Sequence, residues 1–242
     1  MQVNGILRWT GAPTGTDSGS TRGEGVRQVS HTAFVEALGR IATGVTVVGS
    51  VDPGVDPGAE PGAGGKSGWV AQTVSAMCSV SVDPPLILVC INRRSPINAV
   101  IERGRVFCVS ALATQHDHVA DTFAGRPWPG KDRWDFTCGH WEAASSGAPR
   151  LTDALAAFDC AVHSVTEAGT HLVYLGAVRE VVGGTGAPLV YANRGYASPS
   201  PVPPSQFPEF PDAHPDNRYT PPITDSPTTD TTGRKARTEV TA

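Results

Sequence analysis

The chain has few of the features that mark nucleic-acid-binding or membrane-spanning proteins. Charged residues make up only 17% of its 242 residues, the formal net charge is −4, and the basic residues are scattered. A surface that binds nucleic acid or an anionic membrane needs a basic patch, so we expect neither partner. No apolar run approaches the length of a membrane span, and the N-terminus lacks the pattern of a secretory signal peptide.

The cysteine content also excludes a class of protein. There are five cysteines, an odd number, and none forms a C-x-x-C pair. Several lie in apolar runs, where a thiol behaves as a small hydrophobic group. This is not the pattern of a disulfide framework or a zinc site, so we expect a cytoplasmic protein without a bound metal.

Composition divides the chain into three parts. Residues 1–28 are rich in Gly, Ser and Thr, and residues 198–242 are rich in Pro, Thr, Ser and Asp. Such segments bury too little apolar surface to offset the entropy of ordering, so both are predicted to be disordered. The predicted folded domain comprises residues 29–197, an ordinary size for one domain.

Within that domain the periodicity predicts a mainly β fold with short helices. A first helix is predicted after Ser30, because Phe34, Leu38 and Ile41 recur at helical spacing. Two further short helices are predicted at 96–103 and 114–123. Strands are predicted at 45–51, 69–81, 86–91, 106–112, 156–165, 171–182 and 188–193. The absence of regular strand–helix alternation favours an antiparallel barrel over a doubly wound sheet.

A hydroxyl-rich segment, residues 73–95, has two interpretations. It contains four serines and one threonine, and Pro84 and Pro85 introduce a strongly apolar strand. Hydroxyl and backbone N–H groups beside a buried strand can bind an anion such as phosphate. The same residues also fit an edge strand, a polar turn and a core strand, and the segment alone leaves both interpretations open.

Other motifs give weaker signals. Residues 62–67 resemble the end of a phosphate-binding P-loop, but the required first glycine is Glu60, so we reject that motif. His116 and His118 lie two positions apart on a predicted helix and cannot share a metal, so a solvated helix surface is expected. Residues 131–134, Lys-Asp-Arg-Trp, fit either a site for a phosphate or planar ligand or an exposed loop.

His171 begins a strong predicted strand after Gly169. The pattern alone favours a polar residue at a barrel rim over a hydrogen bond to a ligand carboxamide. No G-x-S-x-G motif is present, so a serine hydrolase has no support.

Taken in order, these segments resemble the flavin reductase-like family, the small NAD(P)H:flavin oxidoreductases that serve two-component monooxygenases. The resemblance covers about residues 31–197, and the block Ser-Val-Ser-Val-Asp-Pro-Pro at 79–85 is its most specific part. The other matching segments are 42–48, 73–78, 86–90, 104–109, 123–125, 147–149, 159–160, 169–171, 176–178 and 188–191, and single matches are Phe34, Ser95, Gln115, Ala120, Leu155 and Tyr196.

The resemblance implies a homodimeric, six-stranded antiparallel Greek-key split β-barrel that binds FMN, with FAD as an alternative. The implied contacts to the flavin phosphate and ribityl chain are Gln72, Thr73, Ser75 and Ala76. The implied contacts along the isoalloxazine edge are Cys90, Ile91 and Asn92, and Ser95 and Asn98 are implied to contact the phosphate side. The other implied pocket residues are Thr122, Phe123 and Tyr196.

His171 is implied to lie against the nicotinamide of NADH or NADPH. The acidic residue that usually precedes this histidine is Thr170 here, so the choice between the two nucleotides stays open. The implied partner is a flavin-dependent monooxygenase that receives the reduced flavin. Two alternatives use the same fold: a protein that binds FMN without turnover, such as a sensor, and an oxidase that acts directly on an organic substrate.

Overall fold

The structure, a computed structural model, describes residues 6–7, 29–55, 68–130 and 132–202. Its helices are α1 (His31–Gly39), α2 (Ile97–Gly104) and α3 (Asp117–Phe123), with short 3-10 helices at Thr114–His116 and Phe136–Cys138. Its strands are β1 (Ile6–Leu7), β2 (Thr43–Gly44), β3 (Thr46–Val51), β4 (Trp69–Val74), β5 (Met77–Ser81), β6 (Leu86–Asn92), β7 (Val106–Ala111), β8 (Trp141–Ala143), β9 (Pro149–Leu151), β10 (Ala156–Ala168), β11 (His171–Gly183), β12 (Val190–Ala192) and β13 (Gly195–Ala197).

One antiparallel sheet forms the body of the fold. Its strands lie in the order β4-β3-β7-β10-β11-β6-β5, and β1 pairs with β10 in parallel. The two ends of this order are consecutive in the chain, because only Ser75 and Ala76 separate β4 from β5. A sheet whose two end strands belong to one bent segment has to curl round on itself, which gives an open barrel.

Alternate residues of the strands fill the barrel interior. In β6, Ile87, Val89 and Ile91 are buried and the residues between them are partly exposed, as the two-residue period of a strand requires. Helix α2 adds Ile97 and Ile101 to the same apolar cluster. This packing anchors the loop that joins β6 to α2.

A second apolar cluster lies between the barrel wall and α3. Val47 and Val48 are neighbours on β3, yet Val47 belongs to this second cluster and Val48 to the barrel interior. The second cluster also contains Phe123 of α3 and Phe136. One strand thus supports two cores on its two faces, and the site described below lies beside the second core.

Helix α1 begins as the sequence predicts, and its last residue is tied to the domain because the Gly39 carbonyl accepts from the Asn193 N–H at 2.7 Å. The Ser30 side chain accepts a hydrogen bond from the Ala33 N–H at 3.5 Å and caps the helix. None of its residues is buried, and Phe34, Leu38 and Ile41 are each at least half exposed.

The mainly β, antiparallel class is confirmed, and the predicted helices are found. The predicted strand at 188–193 is found as β12. The count of six strands is too low, because residues 69–81 form β4 and β5 and because the short strands β1, β2, β8, β9 and β13 were not predicted. These unpredicted strands have two or three residues each, too few to show a two-residue period in the sequence.

Some predictions fall outside the described residues. The disorder predicted for 1–28 and 198–242 falls there except at 6–7 and 198–202, and the P-loop-like residues 62–67 do so entirely. Within the described ranges, no helix is long and apolar enough to cross a membrane.

Candidate functional site

A cavity of about 640 Å³ lies beside β4, between the start of α2 and the end of α3. One part of its wall is polar and comes from β4 and the β6–α2 loop, and the other part is aromatic. The lining residues are Trp69, Val70, Ala71, Gln72, Thr73, Asn92, Arg94, Ser95, Pro96, Ile97, Phe123, Ala124, Trp134 and Phe136.

The polar wall starts on β4 with Gln72 and Thr73. The Thr73 hydroxyl donates a hydrogen bond to the backbone carbonyl of Ala120 at 2.7 Å. The Ser95 hydroxyl donates to the side-chain carbonyl of Gln72. These two bonds tie β4 to α3 on one side and to the β6–α2 loop on the other, and they fix the orientation of the Gln72 amide.

The β6–α2 loop is held by a buried amide. Asn98 Nδ2 donates to the backbone carbonyl of Asn92 at 2.8 Å, and the Tyr174 hydroxyl donates to Asn98 Oδ1 at 3.0 Å. Burial, followed by the charge of Glu102, raises the pKa of Tyr174 to about 12, so its hydroxyl remains a donor. One N–H and the oxygen of the Asn98 amide are therefore engaged within the protein, and these bonds hold the loop.

The aromatic wall is a packed cluster of rings. Phe123 and Phe136 meet edge-on with centroids 5.0 Å apart, and Trp141 meets them at 5.2 Å and 5.3 Å. Trp69 lies 5.5 Å from Phe136, and its Nε1 donates to the carbonyl of Gly147 at 3.0 Å. Tilted and edge-on contacts of this kind add stability beyond buried area, so they stabilise the shape of this wall.

Trp134 lines the same cavity but differs from that cluster. Its side chain is 50% exposed, and its backbone adopts φ of 58°. The left-handed region costs an L-residue about 1–2 kcal/mol and is an outlier for a bulky side chain. Its N–H donates to the carbonyl of Thr122 at 3.3 Å, which anchors this backbone at the end of α3.

A smaller cavity of about 140 Å³ adjoins the large one, because Thr73 and Ala124 line both. Its other lining residues are Val45, Ser75, Arg126, Tyr191 and Tyr196. The Tyr196 hydroxyl donates to Asp121 at 2.9 Å, and the Arg126 guanidinium lies 3.2 Å from the same carboxylate. Burial, then the hydrogen bond to Asp121 and its charge, raises the pKa of Tyr196 to about 12.

The structure brings together more than half of the residues that the resemblance assigns. The predicted residues that line the two cavities are Gln72, Thr73, Ser75, Asn92, Ser95, Phe123 and Tyr196. The predicted residues that line neither are Ala76, Cys90, Ile91, Asn98, Thr122 and His171.

For two of these, the side chain points elsewhere. Ile91 is fully buried in the barrel interior, and the buried Thr122 hydroxyl donates to the carbonyl of His118 at 2.8 Å. Either residue offers a ligand only its main chain.

Burial, then the neighbouring Cys78, raises the pKa of the Cys90 thiol, and the Cys90 N–H donates to the carbonyl of Ala76 at 3.0 Å.

His171 lies next to the large cavity without lining it. It is the first residue of β11 and pairs with the cavity residue Asn92 in the β-ladder. Its Nδ1 is 2.8 Å from the hydroxyl of Thr170. A hydroxyl can donate to this nitrogen or accept from it, so Thr170 orients the ring without adding a negative charge beside it.

Several lining residues were not assigned from the sequence: Trp69, Arg94, Arg126, Trp134 and Phe136. The sequence contains a signal for one of them, because the motif at 131–134 includes Trp134 and fits either a site for a phosphate or planar ligand or an exposed loop. Its Trp134 lines the cavity, whereas Lys131 is outside the described residues.

The interpretation of His116 and His118 as a solvated helix surface is wrong. His116 is 3% exposed; its Nδ1 accepts from the Ala113 N–H, and its Nε2 lies 3.1 Å from Asp153 Oδ2 in poor hydrogen-bond geometry. His118 Nε2 lies 2.9 Å from the Cys138 carbonyl. The error arose because residues 114–116 form a 3-10 turn, which turns His116 into the core before α3 begins.

The chain belongs to the flavin reductase like domain family, whose profile matches residues 38–200. It is 38% identical over 169 residues to the FMN reductase (NADH) RutF of Methylorubrum extorquens, covering 69% of this chain and 75% of that protein.

Solved structures share the fold. Nitrilotriacetate monooxygenase component B from Mycobacterium thermoresistibile is 28% identical with a TM-score of 0.59, covering 77% of this chain and 93% of that one. The NADH:FAD oxidoreductase SgcE6 of Streptomyces globisporus is 28% identical with a TM-score of 0.58, covering 73% and 98%.

The two cavities fit a flavin by their chemistry. The aromatic wall suits a planar ring system, the amides and hydroxyls of the polar wall suit ring carbonyls and ribityl hydroxyls, and Arg94 and Arg126 suit a phosphate.

Proposed function

We propose that this protein is an NADH:flavin oxidoreductase that uses FMN and supplies reduced flavin to a partner monooxygenase. The observation that carries the proposal is the large cavity, which gathers Gln72, Thr73, Asn92, Ser95 and Phe123 around one volume. The family resemblance in the sequence implies flavin contacts at the same five residues. The activities named for the Methylorubrum and Streptomyces relatives support NADH as donor and a flavin as acceptor.

The chain's own residues bind and position the reactants. Gln72, Thr73 and Asn92 hold the polar edge and ribityl chain of the flavin, and the ring cluster around Phe123 excludes water from its other side. Ser75 and Arg126 of the small cavity offer a hydroxyl and a cation to the phosphate. The bound flavin supplies the redox chemistry by accepting a hydride from the nicotinamide, so the protein needs no acid or base of its own.

His171 is proposed to orient the nicotinamide, since it pairs with Asn92 at the edge of the cavity. Replacement by alanine should raise the apparent KM for NADH more than it weakens flavin binding. Equal losses in both would instead indicate that His171 only supports the barrel rim.

We also propose a homodimer. Helix α1 has nine residues, too few for a stable isolated helix, and its apolar residues Phe34, Leu38 and Ile41 are exposed. A second copy would cover this face. Light scattering on the wild type and on Leu38→Glu tests this: a dimer that the substitution dissociates supports the proposal, and a monomeric wild type contradicts it.

The same proposal includes a cytoplasmic location and a catalytic domain at 29–197. Cys78, Cys90, Cys108 and Cys160 are thiols, as expected in a reducing compartment.

The decisive test is NADH oxidation by the purified protein with FMN and with FAD, followed through the absorbance of NADH. FMN-dependent oxidation supports the proposal. Absence of oxidation with both flavins overturns it, and flavin binding without oxidation would favour the non-catalytic alternative.

A further inference from the structure

Trp128 and Trp134 lie in one segment and have similar solvent exposure, but they contact different surroundings. They are 47% and 50% exposed, respectively. Trp128 lies against the ring of His118, with centroids 5.3 Å apart, and does not line the large cavity. Trp134 lines that cavity, and within the described residues it makes no ring contact with another aromatic side chain. Its ring is therefore available to a ligand, whereas that of Trp128 has a protein partner.

The backbone holds Trp134 in this place despite an unfavourable conformation. The positive φ of Trp134 is maintained by the hydrogen bond from its N–H to the Thr122 carbonyl, which also accepts from the Gly125 N–H. A Cβ on Gly125 would lie 3.8 Å from Trp134 Cζ2, so the edge of the indole lies beside this glycine. Conformations of this kind persist where the surrounding structure enforces them, and they cluster at ligand-binding sites.

The polarity of the cavity wall next to Trp134 indicates which part of the flavin its ring contacts. The hydrogen bond of Trp134 to the Thr122 carbonyl places it at the end of α3, next to the lining residues Phe123 and Ala124, and Phe136 follows two residues later in the chain. These three are apolar, while Gln72, Asn92 and Ser95 form the polar part of the wall. An isoalloxazine ring has the same asymmetry, with an apolar dimethylbenzene end and a polar pyrimidine end. The adenine of FAD, by contrast, presents polar atoms around most of its edge.

We propose that Trp134 is a binding residue that stacks on the dimethylbenzene end of the isoalloxazine ring. This role rests on the proposed flavin reductase function and adds to it a residue that determines affinity for the flavin ring. It acts on the ring common to riboflavin, FMN and FAD, and not on the phosphate or the adenine.

The experiment measures the affinity of riboflavin, FMN and FAD for the wild type, Trp134→Ala, Trp134→Phe and Trp128→Ala. Stacked aromatic rings typically contribute enough that Trp134→Ala should weaken binding by about tenfold or more, equally for the three flavins. Trp134→Phe should restore most of the affinity because it keeps a planar ring. The control Trp128→Ala should bind as the wild type does.

Tryptophan fluorescence gives a second readout that does not depend on the alanine variant folding. Flavin binding should quench the wild type and Trp128→Phe, and it should quench Trp134→Phe distinctly less. If Trp134→Phe is quenched as strongly as the wild type, the stacking role is wrong.

The outcomes separate this inference from the proposed function. If the wild type binds and reduces flavin while Trp134→Ala binds all three flavins normally, only the stacking role falls. A loss confined to FAD would assign Trp134 to the adenine and also overturn the proposal. If the wild type binds no flavin, both the function and the stacking role are overturned.

Discussion

The polar wall and the aromatic wall of the large cavity are held in place by different forces. On the polar side, hydrogen bonds such as those of Thr73 with Ala120 and of Asn98 with Asn92 fix the strand and loop. On the aromatic side, the contacts of Phe136 with Trp69 and Phe123 do so through packing. Directional bonds set the orientation of donors and acceptors, whereas ring packing sets the shape of an apolar surface. A ligand with one polar and one apolar end needs both.

The largest effect should come from removing the central ring of the aromatic wall. Phe136→Ala deletes the side chain that contacts Trp69, Phe123 and Trp141 and is buried in the second core. We expect a loss of about 3–5 kcal/mol in the free energy of unfolding, measured in urea. The control Val82→Ala changes a side chain that is 93% exposed and should stay within about 0.5 kcal/mol of wild type. A loss below about 0.5 kcal/mol for Phe136→Ala would mean that the stability of the aromatic wall does not depend on this ring.

A smaller effect should come from the polar wall. Asn98→Ala leaves the Tyr174 hydroxyl without its partner and removes one of the two hydrogen bonds to the Asn92 carbonyl, which also accepts from the Ser95 N–H. The loss should cost about 1–3 kcal/mol. The double variant with Tyr174→Phe should lose less than the sum of the two single variants, because both remove the same hydrogen bond. Additive losses would contradict the network.

Relief of the backbone strain at Trp134 should increase the stability of the protein. Asparagine tolerates the left-handed conformation of Trp134, so Trp134→Asn should gain about 1 kcal/mol in the free energy of unfolding while flavin binding weakens. The matched change Trp128→Asn should bring no gain, since positive φ is found at Trp134 and not at Trp128. A Trp134→Asn protein that is less stable than wild type would show that the ring contributes more to packing than the conformation costs.

The smallest effect concerns pH. Burial raises the pKa of both Tyr174 and Tyr196 from 10.0 to about 12. Between these values the unfolded chain releases the two protons and the folded protein keeps them. The stability that these groups contribute is therefore complete below about pH 10 and is lost as the pH rises towards 12. Phenolate absorbance during alkaline titration measures this, and Tyr196→Phe should remove one of the late-titrating groups. Titration of every tyrosine near the ordinary value would contradict it.

The contrast between the walls also explains what the sequence alone could predict. Gln72, Asn92 and Ser95 lie in one stretch of chain, so a continuous motif contains most of the polar wall. Trp69, Phe123 and Phe136 are far apart in the sequence and meet only because β3 and β4 pair in one register and α3 packs beneath them. Local periodicity carries no information on such contacts, and the three-residue strands β8, β9 and β13 were missed because they are too short to show a period.

The side-chain directions of Ile91 and Asn98 show a second limit. Both lie in segments that match the family, yet one side chain fills the barrel and the other supports the loop. A match of residues assigns a position in the fold. It does not assign which atoms of the residue face the ligand.

The central claim is that the flavin reduced by NADH occupies the volume between these two walls. Ala124 is exposed and lines both cavities, so Ala124→Trp should fill their junction without disturbing the core. Anaerobic mixing of NADH with protein and FMN, followed by the bleaching of the flavin absorbance, tests the claim. The wild type and the control Ala143→Trp, at an exposed residue that lines neither cavity, should bleach the flavin. Ala124→Trp should do so at least about 100-fold more slowly, the effect of some 2.7 kcal/mol at the transition state. Equal bleaching by Ala124→Trp and the wild type would place the flavin elsewhere and contradict the account.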